Sequence, residues 1–252
     1  MNARLQYTVA MSDRQVNTLL HDGTIDCTTD GKRRFLFEEM DLRGEIAHLD
    51  GVLSDVRSIH DYPAGVARLL GEFLVASVLL ASTLKFRGSL TVQARSDGEI
   101  PLIMAECSSE LTVRGIARGA QAATATDFAG LLGGGQLALT VTPDRGRRYQ
   151  GIVPLSRDSL AASIDAYFEQ SEQLQTRLYL ASDGDRAAGL ILQQLPEQRV
   201  RDESLRTEQW QRVSLLADTL HGGELLALRD ADLLHRLFSE ENPDGGQGSF
   251  LD

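Results

Sequence analysis

Residues 63–86 read PAGVARLLGEFLVASVLLASTLKF, and this stretch decides the fold. Pro63 suits an early helical position, where its missing N–H costs nothing and its φ is preset. Val66, Leu69, Leu70, Phe73, Leu74 and Val78 cover more than one face of the helix expected from there to about Phe86. A surface helix shows one apolar stripe, whereas a helix this widely apolar is packed on most sides, as a central helix is. Its most apolar part, Phe73–Leu84, spans about twelve residues between Glu72 and Lys85. A bilayer requires about 20, so the stretch reads as a buried helix, and no membrane partner is expected.

Outward from this helix the period changes. Asp50–His60 has Val52, Val56 and Ile59 at helical spacing. Before it, Phe35 and Phe37 alternate with Leu36 and Glu38, and Arg43–Ile46 continues an extended run, which suggests a first strand pair. After the central helix, Leu90, Val92 and Ala94 alternate with polar neighbours, and Asp97-Gly98 marks a turn. Leu111, Val113 and Ile116 make another run, broken by Gly115; Leu137, Leu139 and Val141 alternate before a hairpin turn at Asp144-Arg145-Gly146, followed by Tyr149, Gly151 and Val153. Asp158–Gln173 is helical, with Leu160, Ile164, Tyr167 and Phe168 on one side. Leu178 and Leu180, then Leu190 and Leu192, are two strands joined at Asp183-Gly184-Asp185.

Past Pro196 the character shifts. Residues 197–206 are charged and loop-like. Helical spacing resumes with Trp210, Val213, Leu216 and Leu220, stopped by Gly222-Gly223. A last helix, capped by Asp230 or Asp232, carries Leu233, Leu234, Leu237 and Phe238. The expected fold class is α+β: a mostly antiparallel sheet core packed with helices, then a small helical appendage. The divisions are a loosely ordered extension over 1–32, a core over 33–196, a helical linker over 197–241 and a disordered Gly-rich tail over 242–252.

Composition narrows the function. The 252 residues are 42% hydrophobic and 24% charged, ordinary for a globular chain, with a formal net charge of −11. That field repels phosphate backbones and argues against nucleic acid as a partner. Residues 1–15 lack the apolar centre of a signal peptide, so a cytoplasmic protein is expected. The two cysteines, Cys27 and Cys107, lie far apart and form no C-x-C or C-x-x-C; they read as free thiols, with no metal site and no cofactor.

Signs of catalysis are few. No phosphate loop, H-E-x-x-H, G-x-S-x-G or G-x-G-x-x-G occurs. Gly133-Gly134-Gly135 precedes a strand and reads as a turn, with no helix N-terminus behind it to aim amides at an anion. His60-Asp61 is either an acid/base couple or a polar cap before the proline-led helix. The paired carboxylates Glu38-Glu39 and Asp183/Asp185 read as solvated surface, since catalytic pairs face each other from separate segments. The apolar face of Trp210, Val213, Leu216, Leu220, Leu234, Leu237 and Phe238 either docks the last helices permanently or holds sticky surface in reserve.

Taken together, Arg34–Glu38 (RFLFE), Arg43-Gly44-Glu45, His60–Pro63 (HDYP), Leu79–Phe86 (LLASTLKF), Arg114–Arg118 (RGIAR), Arg148–Val153 (RYQGIV) and Tyr167–Leu174 (YFEQSEQL) with Thr176-Arg177 occur in order. Together they closely resemble the redox-regulated thirty-three-kilodalton heat-shock chaperone family of bacteria, from about Phe35 to Glu241. The resemblance implies an ATP-independent holdase that binds unfolded or misfolded client proteins, often as a homodimer, and no enzyme. It also implies a C-terminal zinc module with a C-x-C and a C-x-x-C, whose oxidation releases the metal and unfolds the linker. Those four cysteines are not among the 252 residues. The expectation is a constitutively active holdase, with the seven apolar residues above as the client-binding or gating face. The alternatives are a small-molecule enzyme using His60 and Asp61, and a scaffold that binds one partner.

Overall fold

The computed structural model describes residues 9–10, 30–37, 39–84, 87–156, 158–171, 174–197 and 199–239. In order they form β1 (Val9–Ala10), β2 (Gly31–Leu36), β3 (Leu42–Leu49), α1 (Gly51–Ile59), α2 (Ala64–Ser82), β4 (Gly88–Ser96), β5 (Leu102–Ser108) and β6 (Thr112–Arg118). There follow α3 (Phe128–Leu132), β7 (Gly135–Pro143), β8 (Tyr149–Pro154), α4 (Leu160–Ser171), β9 (Thr176–Ser182), β10 (Ala187–Gln194), α5 (Glu203–Ala217), α6 (Gly222–Ala227) and α7 (Asp230–Phe238). The class is α+β, with every strand pair antiparallel.

The central helix is central. α2 packs on β4, β5 and β6 of a six-stranded sheet ordered β1-β6-β5-β4-β7-β8, and on β3, β10 and β9 of a four-stranded sheet ordered β2-β3-β10-β9. Its residues from Phe73 to Ala81 are all buried, so both sheets are held by one element. Each large apolar side chain so covered contributes about 1.5–3 kcal/mol. The approach is close on both sides. A Cβ at Gly115 of β6 would lie 2.9 Å from Leu74, and one at Gly189 of β10 would lie 2.7 Å from Leu79.

The four-stranded sheet is covered twice. Ala47, Leu49, Ala187 and Ile191 face α2 and the main core, while Leu42, Ile46, Ala188, Leu190 and Leu192 face a second apolar cluster beneath α5, α6 and α7. Strands buried on both faces lose the apolar–polar alternation of a half-wet strand, and β10 is buried from Ala187 to Gln193.

Several sequence expectations need correction. α2 stops at Ser82 rather than Phe86: Ser82 and Thr83 turn their hydroxyls onto the Leu79 and Leu80 carbonyls, and Arg34 donates to the Ser82 carbonyl. Lys85 and Phe86 lie outside the described residues. β5 departs from the sequence expectation: of its inward residues Ile103, Ala105 and Cys107 only the first is large, and its other face carries the apolar Leu102 and Met104, so no clean alternation shows. Leu111 is in a turn with φ 58°, and β6 continues through Gly115. α3 was not anticipated, and α5 already begins at Glu203, where the Asp202 carboxylate accepts from the Ser204 and Leu205 N–H groups. The residues at 11–29 and 240–252, with Cys27, lie outside the described residues.

Candidate client-binding surface

The sequence proposed one apolar face over Trp210–Phe238. In the structure α5, α6 and α7 lie on the open side of the four-stranded sheet, and all seven named residues meet there. Trp210, Val213, Leu234, Leu237 and Phe238 are buried, with Leu216 and Leu220 half-buried at the margin. Opposite them lie Phe35, Met40, Leu42, Ile46, Leu190 and Leu192. The Phe238 ring stands 5.2 Å from that of Phe37 and 6.1 Å from that of Phe35.

Ala217 and Leu225 also belong to this face, as does Leu233, which the sequence places on the last helix but not among the seven. Gly222-Gly223 does not end the helical region as expected; these glycines open α6, which carries Leu225. The His221 N–H donates to the Glu224 carboxylate at 3.0 Å, and Arg236 of α7 pairs with the other oxygen of Glu224 at 2.7 Å. The run Leu225–Leu228 carried the signal. Nor does Asp230 or Asp232 cap α7 from the N-cap position, which Arg229 occupies. Asp232 instead pairs with Arg229 at 2.7 Å, and Asp230 reaches back to the core.

Polar anchors fix the appendage at its two ends. At the entry, Asp41, in the turn between β2 and β3 and only 4% exposed, accepts from the Arg199 and Val200 N–H groups and pairs with Arg206 at 3.1 Å. Arg206 also donates to the Leu195 carbonyl. At α7, Asp230 lies 2.9 Å from His48 Nε2 and 3.5 Å from Arg33 Nε. Burial alone pushes the Asp230 carboxyl up, but the His48 hydrogen bond and the charges of His48 and Arg33 outweigh it and hold it below the usual range. Tyr179 of β9 donates to Asp218 at the end of α5 at 2.7 Å. Burial, with that carboxylate beside it, pushes the Tyr179 hydroxyl far up.

Between core and appendage opens a cleft of about 240 Å³, lined by Glu72, Ser159, Ala161, Leu178, Tyr179, Leu180, Leu220, Gly222 and Leu225. Glu72, the polar end of the stretch Phe73–Leu84, lies inside α2 as expected, and its side chain borders this cleft. Burial pushes its carboxyl from 4.5 up to about 7, against the opposing charge of Arg68. Asp165 of α4, which accepts the Leu178 N–H, is likewise pushed by burial to about 7.

A carboxyl raised in the folded state gives its full stability below its unfolded value and loses it as pH rises through the folded value. For Glu72 the window runs from about 4.5 to 7, and the penalty above it is at most about 3 kcal/mol. Glu72→Gln is therefore expected to raise Tm at pH 8 by several degrees relative to wild type, and to leave Tm unchanged at pH 4. Thermal melts at both values check this; an equal Tm for the two proteins at pH 8 contradicts it.

The other candidates stay separate. His60 caps the end of α1 with its ring 5.4 Å from that of Tyr62, and no hydrogen bond joins it to Asp61 among the described residues. It does not cap α2, whose N-cap position is Pro63. Gly133 ends α3 with φ 55°, and the Asp97 N–H closes on the Gly134 carbonyl, a turn. Asp183 ties the β9–β10 hairpin through the Asp185 and Arg186 N–H groups. Glu38 lies outside the described residues. The Cys107 thiol is fully buried, and burial pushes it up to about 12. Among the described residues no three His, Cys, Asp or Glu side chains converge in a way that could hold a metal.

Comparison with known proteins agrees along most of the chain. A family model described as Hsp33 protein matches residues 30–247. The 33 kDa chaperonin of Azotobacter vinelandii is 51% identical over 214 residues, covering 84% of this chain and 72% of its own length. That of Pseudomonas aeruginosa strain LESB58 is 50% identical over 215 residues with the same coverage. The crystal structure of the 33 kDa chaperonin of Thermotoga maritima has the same fold, with a TM-score of 0.71 at 22% identity over 82% of this chain and 74% of that one.

Proposed function

Since the chain belongs to the Hsp33 family and is therefore a molecular chaperone, we propose that it is an ATP-independent holdase whose client-binding surface is the interface under α5–α7. The observation that carries this reading is the second apolar cluster. It is separate from the main core, and half of it belongs to helices of 15, 6 and 9 residues. Helices that short are marginal alone in water, so the appendage owes its order to docking and can open without unfolding the core. Opening bares two complementary apolar faces, the kind of surface that captures unfolded chains. The clients are unfolded or misfolded proteins, the setting is the bacterial cytoplasm, and the acting form is a homodimer. Catalysis has no part in it.

The expected result is suppression of light scattering by an aggregating client at substoichiometric ratios without nucleotide. The 252 residues contain no C-x-C or C-x-x-C pair, so this polypeptide is expected to work constitutively, to bind no stoichiometric zinc, and to respond to mild heat rather than to peroxide. A strict ATP requirement, or activity appearing only on oxidation, contradicts the proposal.

A further inference from the structure

β9 is an edge strand among the described residues, paired only with β10. The N–H of Leu178 points away from β10, since it donates to the Asp165 carboxylate at 3.0 Å. In an antiparallel ladder each residue's N–H and C=O face one neighbour, and those of the next residue face the other. The N–H and C=O of Leu180 therefore face the same side of β9, beyond the Asp165 contact, at the cleft described above.

That cleft has an unusual wall. Leu178, Leu180, Leu220 and Leu225 line it with Glu72 and Ser159. Glu72 has no hydrogen bond or ion pair among the described residues; Arg68, one turn earlier on α2, acts on it only through space. At about 240 Å³ the space falls below the roughly 300–1,000 Å³ of pockets for drug-sized ligands, and suits one long side chain. An aliphatic wall with a carboxyl at its end matches lysine or arginine, which bury an apolar stem and carry a cation at the tip. The net charge of −11 draws basic segments towards the protein.

We propose that this cleft receives a lysine or arginine side chain from an extended client segment, whose backbone pairs with the open edge at Leu180 while its cation meets Glu72. The assignment rests on the holdase reading and adds a preference within it. Because Leu220 and Leu225 belong to the appendage and the other walls to the core, the cleft exists while the helices are docked. Basic segments are thus engaged before the appendage opens.

The test uses three fluorescent peptides of alternating Val and Thr with one central Lys, Gln or Glu, titrated by anisotropy at pH 8, where Glu72 is charged. Wild type is expected to bind the Lys peptide about tenfold more tightly than the Gln peptide, and the Glu peptide least. Glu72→Gln, with its fold verified by circular dichroism, is expected to bring the Lys and Gln peptides within twofold of each other. Equal affinity of wild type for all three peptides, or a Lys preference that survives in Glu72→Gln, overturns the assignment. The wild-type peptide series needs no variant, so a misfolded mutant does not rescue the idea. Light scattering on the same wild-type preparation separates the two readings. Failure to suppress aggregation removes the holdase reading, whereas suppression without peptide preference removes only the cleft.

Discussion

Replacing Asp41 by Asn is expected to raise amide exchange across residues 203–238 by roughly a hundredfold or more, with the six-stranded sheet left as protected as before. Asp41 is 4% exposed and gathers the Arg199 and Val200 N–H groups and the Arg206 guanidinium on one carboxylate. Removing one partner of a buried ion pair costs about 3–5 kcal/mol, because the other is left charged and uncompensated. Asn keeps one acceptor oxygen for the backbone but gives Arg206 no countercharge. The loss falls at the root of the appendage, where the chain leaves β10 for α5, so it weakens docking of all three helices together. Hydrogen exchange with mass spectrometry on peptides from 203–238 and from β4–β7 reads both halves of the claim. Unchanged exchange in 203–238 would falsify the view that Asp41 holds the appendage down. Aggregation suppression by the variant at moderate temperature should exceed that of wild type.

The second large effect is expected at the far end. Phe238→Ala removes the ring that meets Phe35 and Phe37, and truncating a buried Phe costs about 3–5 kcal/mol. α7 has nine residues and cannot hold itself. The variant should show a local transition about 10 °C or more below the main melt, read by the single tryptophan, Trp210, which is 9% exposed when docked. Its emission should shift to the red in that transition while far-ultraviolet ellipticity keeps most of its value. Leu215→Ala is the control: Leu215 is 70% exposed, and its loss should stay within about 0.5 kcal/mol. A single transition at the wild-type temperature in Phe238→Ala contradicts a separately opening appendage.

The sequence showed those parts whose signal is periodic and local. The width of the apolar face on α2 announced a helix packed on most sides, and the spacing of Trp210, Val213, Leu216 and Leu220 announced a face to be docked. What it concealed depends on pairing at a distance. Asp41 is one aspartate in a turn until residues 199–206 come to it. Glu72 is one polar residue in an apolar helix until β9, α4 and the appendage wall it into a cleft. β5 escaped because Leu102 and Met104 on its outer face blur the alternation of Ile103, Ala105 and Cys107, and α6 because glycine stops one helix as readily as it begins another. The continuous apolar character of β10 was legible in retrospect: a strand that fails to alternate has something on each face.

The pairing of β3 with β10 has a consequence during synthesis. Leu42 is opposite Gln194 and Leu49 opposite Ala187, so the middle of the four-stranded sheet cannot close until the ribosome has made residue 194. α2 is complete at Ser82, and β4–β8 supply the sheet for one of its sides directly afterwards. Its other side waits for β9 and β10, roughly another hundred residues, which at about 5–20 residues per second is on the order of ten seconds. For that interval each nascent copy displays the apolar face of α2 beside an unfinished hairpin. A ribosome translating this message therefore carries, for those seconds, a chain with one side of its central helix not yet covered.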